Sequence, residues 1–199
     1  MRFVGDGPRD EATVPPIVKR ILNTQFEDSF RPWARLHEGG KGYSRKLLYA
    51  LRQVRVDSAD GMVATVDTDR AKKGARLKRL SEGRAADRKA KSPIPTALGE
   101  ATPHGEAWLL ADRVALKEAL GLPDELTIPS VRDEKNPKKA IADLHVLSPR
   151  ASEDSMPVLG DIARRVDPQR CKHAGKTGFR AFMGDVRTEL EPLFTSNQH

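Results

Sequence analysis

The chain has 199 residues, 38% of them hydrophobic and 32% charged, which predicts one large domain or a domain with a small appendage. Cys171 is the single cysteine, which excludes an intrachain disulfide and a metal site built on several thiolates, and suits a reducing cytosol. Asp6 comes too early for a signal peptide and no apolar run approaches the ~20 residues of a membrane span, so a cytoplasmic protein is expected.

The excess positive charge is concentrated in one segment. The formal net charge is +7, and residues 70–91 alone contribute +8, which leaves about −1 for the rest of the chain. A local patch of this kind attracts polyanions, and it predicts nucleic acid or another phosphate-rich partner whose phosphates contact the cations near its start. The alternative is a solvated helix face or a loop that only keeps the protein soluble. The candidate phosphate ligands are Lys72, Lys73, Arg76, Lys78 and Arg79.

In chain order, apolar runs and helical periodicity alternate over the first half of the sequence. The predicted strands cover 1–6, 30–38, 61–69 and 94–102. A helix is expected to begin near residue 13, because Pro15 and Pro16 are tolerated only near a helix start. The other predicted helices cover 43–56, 104–122, 136–147, 155–166 and 178–194, and the basic segment is expected as a helix or a partly ordered loop.

This order predicts an α/β fold, a Rossmann-like sandwich on a mostly parallel sheet with a helical C-terminal part. The continuous apolar run at 62–66 indicates a strand buried on both faces. The expected division is an α/β domain over 1–122 and a helical extension over 123–199, packed on it. Trp108 lies on the apolar face of its helix and is expected in the core, with base stacking as the alternative.

Acidic residues follow two of the predicted strands. Asp6 ends the first strand, and Asp67 and Asp69 end the third. Because functional residues gather at the carboxyl ends of parallel strands, these carboxylates are expected to converge at one edge of the sheet. Clustered oxygen ligands suit Mg²⁺ or Mn²⁺, which activates water and neutralises a phosphodiester transition state. The alternative is that Asp67 or Asp69 caps the following helix.

Histidine gives no such pattern. The five histidines show no ligand spacing, so zinc is not expected, and each is interpreted as structural or exposed.

The segments "FVGDGPRDEA", "VATVDTD" and "TPHGEAWLLAD", in that order, resemble the TOPRIM-like proteins. The similarity extends over most of the chain, including "NPKKAI" and "GFRAFMGDV". The closest resemblance is to a compact, stand-alone bacterial group related to the nuclease domain of OLD-family proteins, which often accompanies ABC-type ATPases in phage-defence loci. The resemblance implies a TOPRIM sandwich, an acid after the first strand as general acid/base or metal ligand, and an Asp-x-Asp pair that binds Mg²⁺.

Carried onto this sequence, the resemblance makes Asp67 and Asp69 the metal ligands and Asp6 the catalytic acid. Asp6 stands where the TOPRIM pattern has Glu and is one methylene shorter, so contact with the ion through a water is expected. Asp10 or Glu11 is the alternative catalytic acid if the turn after the first strand places its carboxylate where Asp6 is expected. Glu106 matches a later acidic position, as a further metal ligand or as a favourable first-turn acid, and Asp112 matches another, for which a structural role is expected.

Two functions follow from these residues. The first is a Mg²⁺-dependent (or Mn²⁺-dependent) nuclease acting on DNA or RNA, for which the resemblance alone implies an ABC/OLD-type ATPase partner in a phage-defence module. The second is a non-catalytic TOPRIM-like module that binds nucleic acid or docks on an ATPase, and it is favoured by Asp6 in place of Glu. Neither requires a membrane, and both leave homo-oligomerisation open.

Overall fold

The computed structural model describes residues 1–69 and 71–195, so Arg70, the first cation of the basic segment, and the last four residues of the predicted extension lie outside the described chain. Four parallel strands form one sheet in the order β2-β1-β3-β4. The strands are β1 (Arg2–Gly5), β2 (Ser29–Pro32), β3 (Met62–Asp67) and β4 (Thr96–Ala101). The predicted Rossmann-like α/β fold with a helical C-terminal part is confirmed.

The helices connect the strands and, after β4, are the regular elements of the described chain up to Thr195. They are α1 (Pro8–Leu22), α2 (Tyr43–Val56), α3 (Ala75–Asp87), α4 (Glu106–Leu110), α5 (Arg113–Leu120), α6 (Pro137–Val146), α7 (Ser155–Arg165), α8 (Phe179–Leu190) and α9 (Pro192–Thr195). The bounds of α2 agree with the prediction, and the basic segment takes the helical alternative over 75–87.

Helix α1 begins at Pro8, so the predicted start near residue 13 is wrong. Pro8 occupies the first turn, where the missing N–H is not needed. Pro15 and Pro16 therefore fall inside the helix, where they remove the donors to two preceding carbonyls, a loss of about 3 kcal/mol or more for a typical interior proline. The buried stripe of the same helix offsets this loss through Val14, Ile17, Val18 and Ile21.

Two other predicted elements are also shorter in the structure. The strand expected over 30–38 ends at Pro32, which has no N–H to continue the ladder, and 3₁₀ turns follow at 33–35 and 37–39. The helix expected over 104–122 is divided at Asp112. The Asp112 carboxylate accepts the N–H groups of Val114 and Ala115, both at 3.2 Å, and so starts a new helix.

Side chains on the two faces of the sheet enter two separate cores. Phe3 and Val63 face α1 and the C-terminal helices, where Trp108 is buried and stacks on Phe182 at 4.7 Å between ring centroids. The alternate residues of the strands, Val4 and Met62 among them, face α2 and α3. All six residues of β3 are buried, as its continuous apolar run predicts.

The described helices include none with the length and hydropathy of a membrane span.

Candidate metal centre

The site lies where β1 and β3 end side by side at the carboxyl edge of the sheet. The two strands are parallel neighbours, which brings Asp6, one residue past β1, next to Asp67, the last residue of β3. Asp6 Oδ2 accepts a hydrogen bond of 2.8 Å from the Asp67 backbone N–H. The Asp6 carboxylate therefore contacts the backbone of Asp67, although Asp6 is not among the clustered ligand atoms of the described chain. This is the crevice at which a doubly wound sheet places its ligands.

The turn after β3 brings Asp69 to the same point. The Thr68 and Asp69 N–H groups donate to Ala101 and Pro103 carbonyls at 2.8 and 3.1 Å, which ties the turn to the chain after β4. Asp69 has a φ of 45°, a left-handed conformation that Asp adopts more readily than most residues. This reversal lets the carboxylates of Asp67 and Asp69 face a common neighbour.

That neighbour is His104, which sequence analysis interpreted as structural or exposed. Its Nδ1 lies 3.3 Å from Asp67 Oδ2 and 3.0 Å from Asp69 Oδ1. One ligand atom from each of the three residues lies within 4.8 Å of the other two, a spacing that admits a metal ion. The signal available in the sequence was position, because His104 lies three residues past the end of β4 and Asp69 lies two residues past the end of β3.

Asp67 is the most constrained carboxylate of the cluster. Its Oδ1 accepts the Gly105 N–H at 2.9 Å, while its Oδ2 faces His104 and lies 3.7 Å from Lys138 Nζ. Burial and then repulsion by Asp6 raise the pKa of Asp67 to about 6, although Lys138 and His104 act in the opposite direction. Lys138 lies in the first turn of α6, and nothing in its sequence context marks it as a site residue.

Asp10 supports the turn that carries Asp6. Its Oδ2 accepts the Asp6 backbone N–H at 2.5 Å and leaves no room for a side chain on Gly5, whose added Cβ would lie 2.7 Å away. Burial, followed by repulsion from Asp67, raises the pKa of Asp10 to about 7. Burial of its carboxylate also raises the pKa of Asp6, although the residue as a whole keeps an exposed surface.

The other predicted acids have different surroundings. Glu11 is exposed and lines a separate cavity of about 710 Å³ between α1 and α7. Glu106 is buried and pairs with Arg9, so it has the position of a first-turn acid and is not among the clustered ligand atoms of the described chain. Asp112 has a structural role, because besides capping α5 it forms an ion pair with Arg170.

The predicted phosphate ligands divide into two groups. Arg76 belongs to the acidic cluster, since its Nη1 donates to the Asp67 carbonyl at 2.7 Å and to Asp69 Oδ2 at 3.1 Å. Arg79 pairs with Glu82 one turn away. Lys72, Lys73 and Lys78 are exposed, as expected of residues that meet a polyanion.

The donor set fits a divalent cation. Two carboxylates and an imidazole nitrogen suit Mn²⁺ better than Mg²⁺, which prefers oxygen ligands only.

Comparison of this chain with protein-family models, with curated proteins and with solved structures finds no match.

Proposed function

We propose that this protein is a metal-dependent phosphodiesterase that acts on nucleic acid. The single observation that supports the proposal most is the cluster of Asp67, Asp69 and His104, whose ligand atoms lie within 4.8 Å of one another at the carboxyl edge of the sheet. Asp6 lies beside this cluster and cationic residues flank it, so a phosphate-bearing chain has a reason to bind there.

Asp67, Asp69 and His104 would hold the ion. When bound, a divalent ion lowers the pKa of a water molecule and neutralises charge that develops on the phosphate. The pKa of Asp67 near 6 and the crowding of Asp6 and Asp10 around it indicate an excess of negative charge, which a cation relieves. We propose Mn²⁺ as the preferred ion and Mg²⁺ as the weaker substitute.

Asp6 would orient the attacking water. Its Oδ2 is already used by the Asp67 N–H, and its other oxygen remains available to accept a proton from water. Burial raises the pKa of its carboxyl group, which makes the carboxylate a stronger base. Asp10 is a positioning residue, because it fixes the backbone N–H of Asp6. Lys138, 3.7 Å from Asp67 Oδ2, would neutralise a phosphate oxygen at the same place.

The proposal also includes the cellular compartment and a partner protein. We place the protein in the cytoplasm, where its one thiol stays reduced; burial raises the pKa of Cys171 to about 12, so the thiol is protonated and unreactive. The resemblance to TOPRIM-like proteins adds an ABC-type ATPase partner and a role in phage defence.

The test is cleavage of labelled supercoiled DNA, single-stranded DNA and RNA in Mn²⁺ or Mg²⁺. The variant Asp67→Ala/Asp69→Ala should lose cleavage by a factor of at least about 10³, as expected when metal ligands are removed. The matched control is Asp57→Ala/Asp60→Ala, which removes two exposed acids before β3, at the opposite edge of the sheet. Equal activity of the two double variants would overturn the proposal.

A second function, a non-catalytic module that binds nucleic acid, has its own support. One oxygen of Asp6 is occupied by the Asp67 N–H, and Asp69 Oδ2 is occupied by Arg76 at 3.1 Å. Both contacts stabilise the acids without an ion. Binding of nucleic acid that is unchanged in Asp67→Ala/Asp69→Ala, with no cleavage by the wild-type protein in either metal, would select this function.

A further inference from the structure

A second basic stretch lies in the C-terminal part of the chain. Residues 168–184 contain no Asp or Glu, and they include four Arg or Lys residues and one His. Most of the stretch forms the loop between α7 and α8, where Lys172, His173 and Lys176 are exposed. Because the net charge outside residues 70–91 is close to zero, this stretch is not apparent from the overall composition.

The loop is attached to the site from two sides. Thr177 O accepts the Thr102 N–H at 3.0 Å and the Trp108 Nε1–H at 2.9 Å, so the loop is fixed to the chain just before His104. Lys73 Nζ donates to Lys176 O at 3.1 Å, which connects the first basic segment to the second. The Lys73 ammonium group keeps two further donors for another ligand.

Between the two basic segments lies a cavity of about 310 Å³, which we call the β4 cleft. Lys73 and Gly74 line one side of it, and Gly175 and Gly178 line the other. Most of its remaining surface is apolar, from residues that include Leu77, Leu98 and Phe182, and Glu100 and the Arg84–Asp185 ion pair also line it. The Gly74 N–H donates to Glu100 Oε2 at 2.7 Å, which holds the turn of Lys73 against strand β4.

We infer that the β4 cleft binds one unpaired nucleotide of a single-stranded nucleic acid, with Lys73 and Lys176 on the adjacent phosphates. Lys73, which lines the cleft, and the exposed Lys176 next to the lining residue Gly175 match the backbone, and the apolar part of the walls matches the face of a base. A volume near 310 Å³ is at the small end of ligand cavities, so it admits a single base and excludes paired bases that remain stacked in a duplex. The inference rests on the proposed function and names its substrate class.

Binding is measured by fluorescence anisotropy of a labelled oligonucleotide, single-stranded or annealed to its complement, in EDTA so that cleavage does not occur. Lys176→Glu should weaken single-strand binding about tenfold and reduce the slope of log K against log salt by about 0.7, the value for one phosphate contact. The matched control is Lys89→Glu, which makes the same charge change beyond the end of α3 and before β4. An equal effect of the two variants would overturn the inference.

The cavity is tested separately from the charge. Ala181→Trp fills the β4 cleft and should weaken single-strand binding about tenfold, the order of one lost base-stacking contact, while duplex binding stays within about twofold. Ser81→Trp fills it from the opposite wall if the first variant does not fold, and Ala85→Trp on the exposed surface of α3 is the control. Loss of single-strand and duplex binding alike, or of neither, would contradict the inference.

Cleavage in Mn²⁺ is measured for the same variants, so that failure of the inference and failure of the proposed function can be distinguished. If cleavage depends on Asp67 and Asp69 but the Lys176 and Ala181 variants bind normally, the inference fails and the proposed function stands. If no cleavage occurs in any metal but these variants lose single-strand binding, the proposed catalysis fails and the β4 cleft remains a binding site.

Discussion

The carboxylate of Asp6 accepts the backbone N–H of Asp67 at 2.8 Å, so the ends of strands β1 and β3 are joined by a hydrogen bond that involves a candidate catalytic acid. The contact has two consequences. It fixes one oxygen of Asp6 beside Asp67, and it leaves the other oxygen as the acceptor for water.

Asp10 should make the protein less stable as the pH rises from about 4 to about 7. Its pKa is near 7 in the folded protein, against 3.8 for an unperturbed carboxyl group, so the folded state binds the proton more tightly over this range. The free energy of unfolding then falls with pH by about 1.4 kcal/mol per unit and becomes flat above pH 7. Asp10→Asn keeps an acceptor for the Asp6 N–H and should reduce the loss between pH 5 and 8 by roughly 3 kcal/mol.

Urea unfolding at pH 5 and 8 in EDTA measures this difference. Glu11→Gln is the matched control, since it removes the neighbouring carboxylate, which is exposed and away from the cluster. A pH dependence that is the same in Asp10→Asn as in the wild type would show that Asp10 is not the group responsible.

His104 should determine which divalent ion binds best. An imidazole ligand favours Mn²⁺ over Mg²⁺, so His104→Asn should weaken Mn²⁺ binding about tenfold and change Mg²⁺ binding much less. Calorimetric titration with each ion gives the two affinities. His37→Asn, which changes an exposed histidine after β2, should leave both unchanged. An unaltered ratio of Mn²⁺ to Mg²⁺ affinity in His104→Asn would exclude the imidazole from the ligand set.

Arg76 should oppose metal binding while it favours nucleic-acid binding. Its guanidinium group pairs with Asp69 Oδ2 at 3.1 Å, and a cation entering the site must compete with it. Arg76→Gln should therefore strengthen Mn²⁺ binding several-fold and weaken nucleic-acid binding in EDTA by a similar factor. Arg52→Gln, which removes an exposed arginine of α2 outside the basic segment, serves as the control. Weaker Mn²⁺ binding in Arg76→Gln would mean that Arg76 orders the site instead of competing for it.

Any side chain at Gly178 should destabilise the folded protein. It has a φ of 82°, and a Cβ added there would lie 2.0 Å from the Glu100 carbonyl oxygen. Gly178→Ala should lower the free energy of unfolding by about 2 kcal/mol or more, because backbone must move to accommodate the methyl group. Gly175→Ala, three residues earlier and facing open space, should change it by less than about 1 kcal/mol. Similar melting temperatures for the two variants would contradict this account of the turn.

The sequence was sufficient to predict the parts of the site that depend on strand order. Asp6 and Asp67 are placed by the ends of two parallel strands, and an apolar run followed by an acid is visible in the sequence. Lys138 could not be found in this way, because it reaches Asp67 through the packing of α6, after a long loop. The start of α1 differs from the prediction because proline positions alone do not determine it. Packing of the buried stripe extends the helix back to Pro8, with Pro15 and Pro16 inside it.

The ion pairs of the basic segment also depend on long-range packing that the sequence does not reveal. Composition identified its charge, but not which acids would neutralise it. Arg84 and Arg88 pair with Asp185 or Glu189 of α8, about a hundred residues away, so this part of α3 is already neutralised in the fold. The exposed cations of this segment that lie near the site are Lys72, Lys73 and Lys78.

The most direct test of the metal centre is an anomalous diffraction map from crystals grown or soaked in Mn²⁺. The account predicts a peak within about 2.5 Å of carboxylate oxygens of Asp67 and Asp69 and of His104 Nδ1, with Asp6 no further away than a bridging water. A protein that binds Mn²⁺ in solution but shows its peak away from these three residues, or none at this edge of the sheet, would contradict it.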